Sequence, residues 1–283
     1  MDEIELTAEE KLTVALSDET EENLDQRTRH ERLSKKNETA IIDFLGDKSR
    51  AVGEYHQSWY YGDLLAWSTQ CVLKNAGWQI INVFGYHQSK AIYSDVKVSL
   101  NDKVNCLLDG QLLIEKDGFK LLLTLDARSR GINCLQVEAL ESQQKNIDEL
   151  IEQVTNQLVK NNFYRSKKIC LKSGGIVFID AGRRDWESVI LEPSVKKEIR
   201  LNTVRFLAKL EVWQKYGIPA KRGIILAGAP GTGKTIVCKA LATEAEGISC
   251  LFADSGNLAN EGYVTCLYDV AHKINPCIIF IED

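Results

Sequence analysis

Gly228-Ala229-Pro230-Gly231-Thr232-Gly233-Lys234-Thr235 matches the phosphate-cradling pattern G-x-x-x-x-G-K-[ST] at every fixed position. The apolar run before it, Gly223-Ile224-Ile225-Leu226-Ala227, reads as a buried strand. The segment after it, Ile236-Val237-Cys238-Lys239-Ala240-Leu241-Ala242, reads as the opening of a helix. Strand, loop and helix in that order are the context the motif needs. Glycines let the backbone wrap so that successive N–H groups face phosphate oxygens, and the helix N-terminus adds positive partial charge. In that reading Gly228, Ala229, Pro230, Gly231, Thr232, Gly233, Lys234, Thr235 and Ile236 form the nucleotide-binding set. Lys234 can reach the β- and γ-phosphates of a bound nucleotide, and the Thr235 hydroxyl can hold Mg²⁺. A plain Gly-rich turn ahead of a helix would require neither the Lys-Thr pair nor these flanks.

A second acidic strand end must complete such a site, holding Mg²⁺ and orienting water. Cys277-Ile278-Ile279-Phe280-Ile281-Glu282-Asp283 has that form, an apolar run closed by two carboxylates. Between it and Thr235 there is room for a helix, a strand over 249–253 and a second helix over about 262–273. That is the βαβα order of a doubly wound sheet, so the expected core is a three-layer α/β/α P-loop fold. Carboxylates at the C-terminal end of a strand lie where such sheets bind ligands.

The bulk properties agree with a soluble globular chain. The 283 residues are 44% hydrophobic and 27% charged, enough for two domains with buried cores. A net charge of -5 argues against a broad nucleic-acid surface. No apolar stretch reaches the length of a membrane span, and the acidic start lacks a signal-peptide pattern, so a cytoplasmic location is expected. The eight cysteines form no C-x-x-C pair and read as reduced, mostly buried thiols. The four histidines stand at no metal-ligand spacing from one another.

Residues 1–50 read as an acidic leader, disordered or loosely helical, with ten acids and one Lys in the first 25 positions. Residues 51–180 read as a mixed α/β unit of open role. Its expected elements are a helix over 55–74 ended by Gly77, a strand over 78–84, and a hairpin turning at Lys116-Asp117-Gly118. A strand over 132–137, a helix over 141–160 and a hairpin across Ser173-Gly174-Gly175 follow. Trp59, Tyr60, Tyr61 and Trp67 fall on the helical stripe, which fits core packing better than a ligand platform. Residues 181–283 carry the chemistry. They begin with a helix over 194–213 that opens at Pro193 and presents Lys196, Lys197, Arg200, Arg205 and Lys209 as a solvated face.

The run from Trp186 to Asp283 resembles the AAA-family ATPases. Gly217-Ile218-Pro219-Ala220-Lys221-Arg222 leading into the loop is very close to that family's entry into its P-loop, and Pro276-Cys277-Ile278-Ile279-Phe280-Ile281 resembles its Walker B strand. The resemblance covers about the last 100 residues and says almost nothing about 1–180. Most members end this strand Asp-Glu, whereas here the order is Glu282-Asp283. The mitochondrial AAA proteins that assemble the Rieske iron–sulfur subunit show a similar order and a similar lead-in. The resemblance is therefore closer to that branch and its prokaryotic relatives than to the proteolytic branch. By position Glu282 would take the Mg²⁺ role and Asp283 the water-activating role, making these two the catalytic residues. The family implies ATP and Mg²⁺ as ligands, a homo-oligomeric ring of hexamer size or similar, and a protein client. The segment Asp254-Ser255-Gly256-Asn257-Leu258-Ala259-Asn260-Glu261-Gly262-Tyr263 lacks the aromatic pore-loop residue of the threading members, so peptide threading is not implied.

In proteins resembling this one a further strand with a polar sensor, an arginine finger and a helical lid follow the Walker B strand. The sequence stops at Asp283, and the expectation is a fragment whose P-loop and Walker B strands each lose a row of hydrogen bonds, with no appreciable ATP turnover alone. The leading expectation for the longer form is ATP hydrolysis coupled to remodelling of a protein partner. A non-hydrolysing nucleotide-binding module and a DNA-handling loader are the alternatives.

Overall fold

The computed structural model describes residues 26–86, 90–129 and 131–282; the expectations for residues 1–25 and for Asp283 lie outside the described residues. Two sheets organise the chain. The first is a six-stranded antiparallel sheet in the order β1(Arg50–Ser58), β6(Ile132–Leu140), β5(Phe119–Asp126), β4(Lys103–Lys116), β2(Gln79–Phe84), with β3(Ile92–Lys97) also paired to β4. The tight turn expected between β4 and β5 is present, with Asp117 at φ 51° and Gly118 at φ 80°.

Both faces of this sheet are covered, which explains the unbroken apolar run in β5. Leu121, Leu123 and Leu125 point into the main core with Leu112 and Ile114, while Leu122 and Leu113 face the other way. On the main face lie the helices α2(Gly62–Ala76) and α3(Gln144–Lys160), burying Leu64, Leu65, Ile147, Leu150 and Val154. On the opposite face α1(Gln26–Leu45) docks Ile41 and Leu45 onto Leu113 and Leu122. The last turns of the acidic leader region are thus packed on the sheet.

Residues 55–58 correct one sequence expectation. They extend β1 instead of starting a helix: Tyr55 and Gln57 share the inward face, paired with Leu135 and Asn133, while Glu54 and His56 alternate outward. A 3₁₀ turn over Trp59–Tyr61 then leads into α2, which ends as expected at Gly77 with φ 76°. Strand β3 was not anticipated. Its burial pattern is mostly exposed, so it carries little of the apolar alternation that reveals a strand.

The second sheet has the order β10(Cys277–Glu282), β9(Ser249–Asp254), β7(Lys168–Lys172), β8(Gly175–Phe178). The pairs β10–β9 and β9–β7 are parallel, and β7–β8 is the expected antiparallel hairpin. Alternation splits β9 and β10 between two layers. Cys250, Phe252, Ile278 and Phe280 face α7(Lys234–Glu244) through Val237, Ala240 and Leu241. Leu251, Ala253, Cys277 and Ile279 face α8(Glu261–Lys273) through Leu267, Val270 and Ala271. The three-layer α/β/α arrangement expected from the sequence is therefore present.

Two expectations in this half are corrected. The run over 223–227 is irregular chain without a ladder, and Ile225 is 93% exposed. A strand needs a hydrogen-bonding neighbour. Among the described residues β10 has a partner only on its β9 side, and only Leu226 of the run packs against the core. The single helix expected over 194–213 is three: α4(Pro193–Asn202), α5(Val204–Leu207) and α6(Leu210–Lys215). Thr203 leaves helical geometry at φ -120°, ψ -101°, and the bend stacks Phe206 on Trp213 at 5.7 Å with the indole N–H donating to the Phe206 carbonyl. Tertiary packing overrides a helical periodicity that was otherwise sound.

Candidate nucleotide site

The loop over 228–235 owes its shape to residue types that only this backbone path requires. Gly231 and Gly233 lie in the left-handed region at φ 80° and 91°, where an L side chain is strained. At Gly228 a Cβ would stand 2.8 Å from the Thr232 hydroxyl. That hydroxyl donates to the Ala229 carbonyl at 2.8 Å and closes the turn around Pro230. Helix α7 then starts at Lys234, and the first bond out of the loop runs from the Val237 N–H to the Gly233 carbonyl at 3.0 Å. The N–H groups of the first turn, including those of Lys234, Thr235 and Ile236, have no intrahelical acceptor by construction.

Lys234 folds back across the loop. Its ammonium donates to the carbonyls of Gly228 at 2.8 Å and Ala229 at 3.2 Å. The positive charge is thereby held over the glycine turn, beside the free N–H groups. Thr235 is exposed in the first turn of α7, and Ile236 beside it is 40% exposed. The loop presents donors and a cation to solvent, and among the described residues Lys234 has no ion pair, an arrangement suited to an anion of several oxygens.

The acidic strand end is tied to the same core. Phe280, two residues before Glu282, is buried in a cluster with Val237 of α7 and Leu226 of the lead-in. Phe280 also stacks on Phe252 with ring centroids 4.8 Å apart. Glu282 is the last residue of β10, paired in register with Asp254 at the end of β9. Glu282 thus stands at the C-terminal rim of the parallel strands. Asp283 lies outside the described residues.

Sequence reasoning missed a clamp that fixes the far end of α7. Glu244, in its last turn, receives Arg200 Nε at 2.9 Å on both oxygens, a second bond from Arg200 Nη2, and the Trp186 indole N–H at 2.7 Å. The Arg200 guanidinium lies over the Trp186 ring at 5.7 Å, and the Lys196 ammonium donates to the Trp186 carbonyl at 2.9 Å. Lys196 and Arg200 are therefore structural and do not belong to a solvated basic face. Burial pushes the Glu244 carboxyl up, but the bonds from Arg200 and Trp186 outweigh it and hold it below the usual range. No pattern marks this clamp in the sequence, since Glu244 pairs with partners 44 and 58 positions away.

The eight cysteines are all free thiols, as expected, with burial raising Cys250 to about 11 and Cys277 to about 12. Among the described residues no group of three or more His, Cys, Asp or Glu is placed to hold a metal ion, and no helix is long and apolar enough to cross a membrane.

A glycine loop opening a helix beside parallel strands has the form of a phosphate-binding loop, and residues 224–283 match the model of the "ATPase family associated with various cellular activities (AAA)". Among curated proteins, the chain is 39% identical over 105 residues to the "ATP-dependent zinc metalloprotease FtsH" of Borreliella burgdorferi, covering 35% of this chain and 16% of that protein. It is 41% identical over 96 residues to "ATP-dependent zinc metalloprotease FtsH 1" of Symbiobacterium thermophilum, covering 31% and 16%. It is also 38% identical over 74 residues to "Uncharacterized AAA domain-containing protein ycf46" of Trieres chinensis, covering 24% and 15%. The matches thus span about one sixth of the length of these relatives. They support an AAA-type ATPase segment, but the proteolytic names among them run against the expected kinship with the Rieske-assembly branch.

Proposed function

We propose that residues 228–236 bind ATP with Mg²⁺, and that the AAA-type module they belong to hydrolyses it to drive rearrangement of a protein partner. The observation that carries the reading is Lys234, held over a left-handed glycine turn at the opening of α7. The phosphates would replace the Gly228 and Ala229 carbonyls as partners of the Lys234 ammonium, while the first-turn N–H groups of α7 take the remaining oxygens. The Thr235 hydroxyl and Glu282 would hold Mg²⁺, which would supply positive charge to neutralise the phosphates. Asp283 would orient the attacking water. A homo-oligomeric ring acting on a protein client, with no nucleic-acid partner, is the assembly this reading implies. The zinc and protease activity in the relatives' names belong to those proteins and form no part of the proposal.

Titration of the purified chain with a fluorescent ATP analogue and Mg²⁺ tests the reading. Lys234→Ala should weaken binding by about tenfold or more, an energy of about 1.4 kcal/mol. Equal affinity of the variant and the parent would overturn it.

One observation favours a second reading, a nucleotide switch without turnover. The lead-in over 223–227 is unpaired, so nucleotide on the loop would have that segment left to order. Increased amide protection over 223–227 on ATP binding, with no phosphate release, would select this reading over hydrolysis.

A further inference from the structure

A cavity of about 620 Å³ lies outside the nucleotide site, between the first sheet and the β7–β8 turn. That volume falls within the ordinary range for small-molecule sites. Its walls are Trp59, Asp63 and Tyr164, the loop residues Arg128 and Ser129, and the turn Ser173-Gly174-Gly175.

One close contact builds it. A Cβ on Gly62 would stand 2.1 Å from the Ala127 carbonyl oxygen, so only glycine lets the start of α2 approach the β5–β6 loop this closely. The next residue on each side, Asp63 and Arg128, is thereby brought to the same cavity. Asn133 fixes a third wall, its side-chain amide donating to the carbonyls of Ser58 at 3.0 Å and Trp59 at 3.1 Å.

Asp63, Arg128 and Tyr164 offer this space side-chain polar groups without a partner among the described residues, whereas Ser129 Oγ accepts from the Gly131 N–H at 3.2 Å and the Tyr60 hydroxyl donates to Asp269. Among the described residues Asp63 makes no hydrogen bond and no ion pair, although it is half-buried. The Arg128 guanidinium forms no ion pair either, and the two opposite charges do not bridge each other within 4 Å. Tyr164 is 1% exposed, and among the described residues its phenol has no hydrogen-bond partner. A buried carboxylate left unpaired costs stability, and such groups persist where a ligand uses them. Aromatic rings at Trp59 and Tyr164 add the apolar wall that a side chain would fill.

We infer that this cavity binds a small zwitterion, a free α-amino acid, with its ammonium on Asp63 and its carboxylate on Arg128. The opposite charges share one cavity yet stay apart, which suits a ligand carrying both charges at its two ends. The Tyr164 phenol and the Ser129 and Ser173 hydroxyls supply further partners for the two ends. The site is independent of the ATP reading, since none of its residues belongs to the loop over 228–236.

Calorimetric titration of the full chain with the common free L-amino acids tests this. At least one should bind with a Kd of about 1 mM or tighter. For that amino acid, the N-acetyl and the amide derivatives should each bind about tenfold more weakly, as should the parent ligand to Asp63→Asn and to Arg128→Gln. Asp63→Asn should leave ATP-analogue binding unchanged and should not lower Tm, because it removes an unpaired charge. Absence of binding by every free amino acid, or tight binding of the amide or N-acetyl form, would overturn the inference. So would unchanged binding in both variants. A variant that unfolds is replaced by Ser129→Asp, which places a second carboxylate beside Arg128 and should weaken the same ligand.

Discussion

Lys234 and Gly233 show how much a single position decides. The ammonium of Lys234 satisfies two loop carbonyls at 2.8 and 3.2 Å, so the loop is held in shape by its own cation. Gly233 supplies φ 91°, and any side chain there pays for the left-handed conformation. Gly233→Ala is therefore expected to lose about 1–2 kcal/mol locally and to weaken ATP-analogue binding, while leaving the first sheet intact. Near-ultraviolet circular dichroism beside a nucleotide titration separates the two effects; undiminished binding would mean that the loop adopts another path. These residue types were legible in the sequence because the motif fixes them at set spacing. Asp63 and Arg128 were not, because only the contact of Gly62 with Ala127 brings positions 65 apart in the chain to one cavity.

At the scale of elements, the helix over 234–244 and the strands over 249–254 and 277–282 followed the apolar periods closely. The run over 223–227 had the same apolar look and is not a strand, since hydrogen bonding to a neighbour, and not hydrophobicity, defines a ladder. The clamp on α7 is an element-scale device. Glu244→Gln should cost about 1–2 kcal/mol, because it removes the charge that Arg200 and Trp186 address. The folded Glu244 carboxyl is held below its unfolded value, so this contribution is complete above the ordinary glutamate range and is lost as pH falls through the depressed value. The Tm difference between parent and Glu244→Gln should accordingly shrink toward acid; a constant difference would show that packing, not charge, is what the substitution removes.

For the whole molecule, the two sheets are joined by more than chain. Backbone pairing of β7 with β9 sets Ile169 against Leu251, so a hairpin that follows the first sheet in sequence becomes part of the nucleotide sheet. Around that seam the Tyr60 hydroxyl donates to Asp269 at 2.5 Å, and Lys273 reaches Asp269 at 2.9 Å and the Gln57 side-chain amide oxygen at 3.2 Å. The Tyr263 hydroxyl donates to the Leu171 carbonyl at 3.2 Å. Helix α8, which carries Asp269 and Lys273, runs directly into β10 and Glu282, so motion at the acidic strand end has a short path to the first sheet. Burial pushes the Asp269 carboxyl up, but the bonds from Tyr60 and Lys273 outweigh it and hold it down. Its stabilisation is therefore present above the ordinary aspartate range and is lost as pH falls through the depressed value. Side-chain exposures of 34% and 38% screen the Lys273–Asp269 pair, so Asp269→Asn should cost only about 1 kcal/mol. Hydrogen exchange should show α8 amides losing protection in that variant while β4 and β5 keep theirs; uniform loss across both sheets would refute a local seam.

Local signals carried the sequence a long way here. The loop motif, the apolar strands on either side of α8 and the turn residues at Asp117-Gly118 each act within a few positions, where spacing and residue type are enough to specify backbone conformation. Pairing across long separations is different, because its partners are chosen by shape and burial in three dimensions. The seam at Asp269, the clamp at Glu244, the break at Thr203 and the cavity between Asp63 and Arg128 therefore exist only in the tertiary structure.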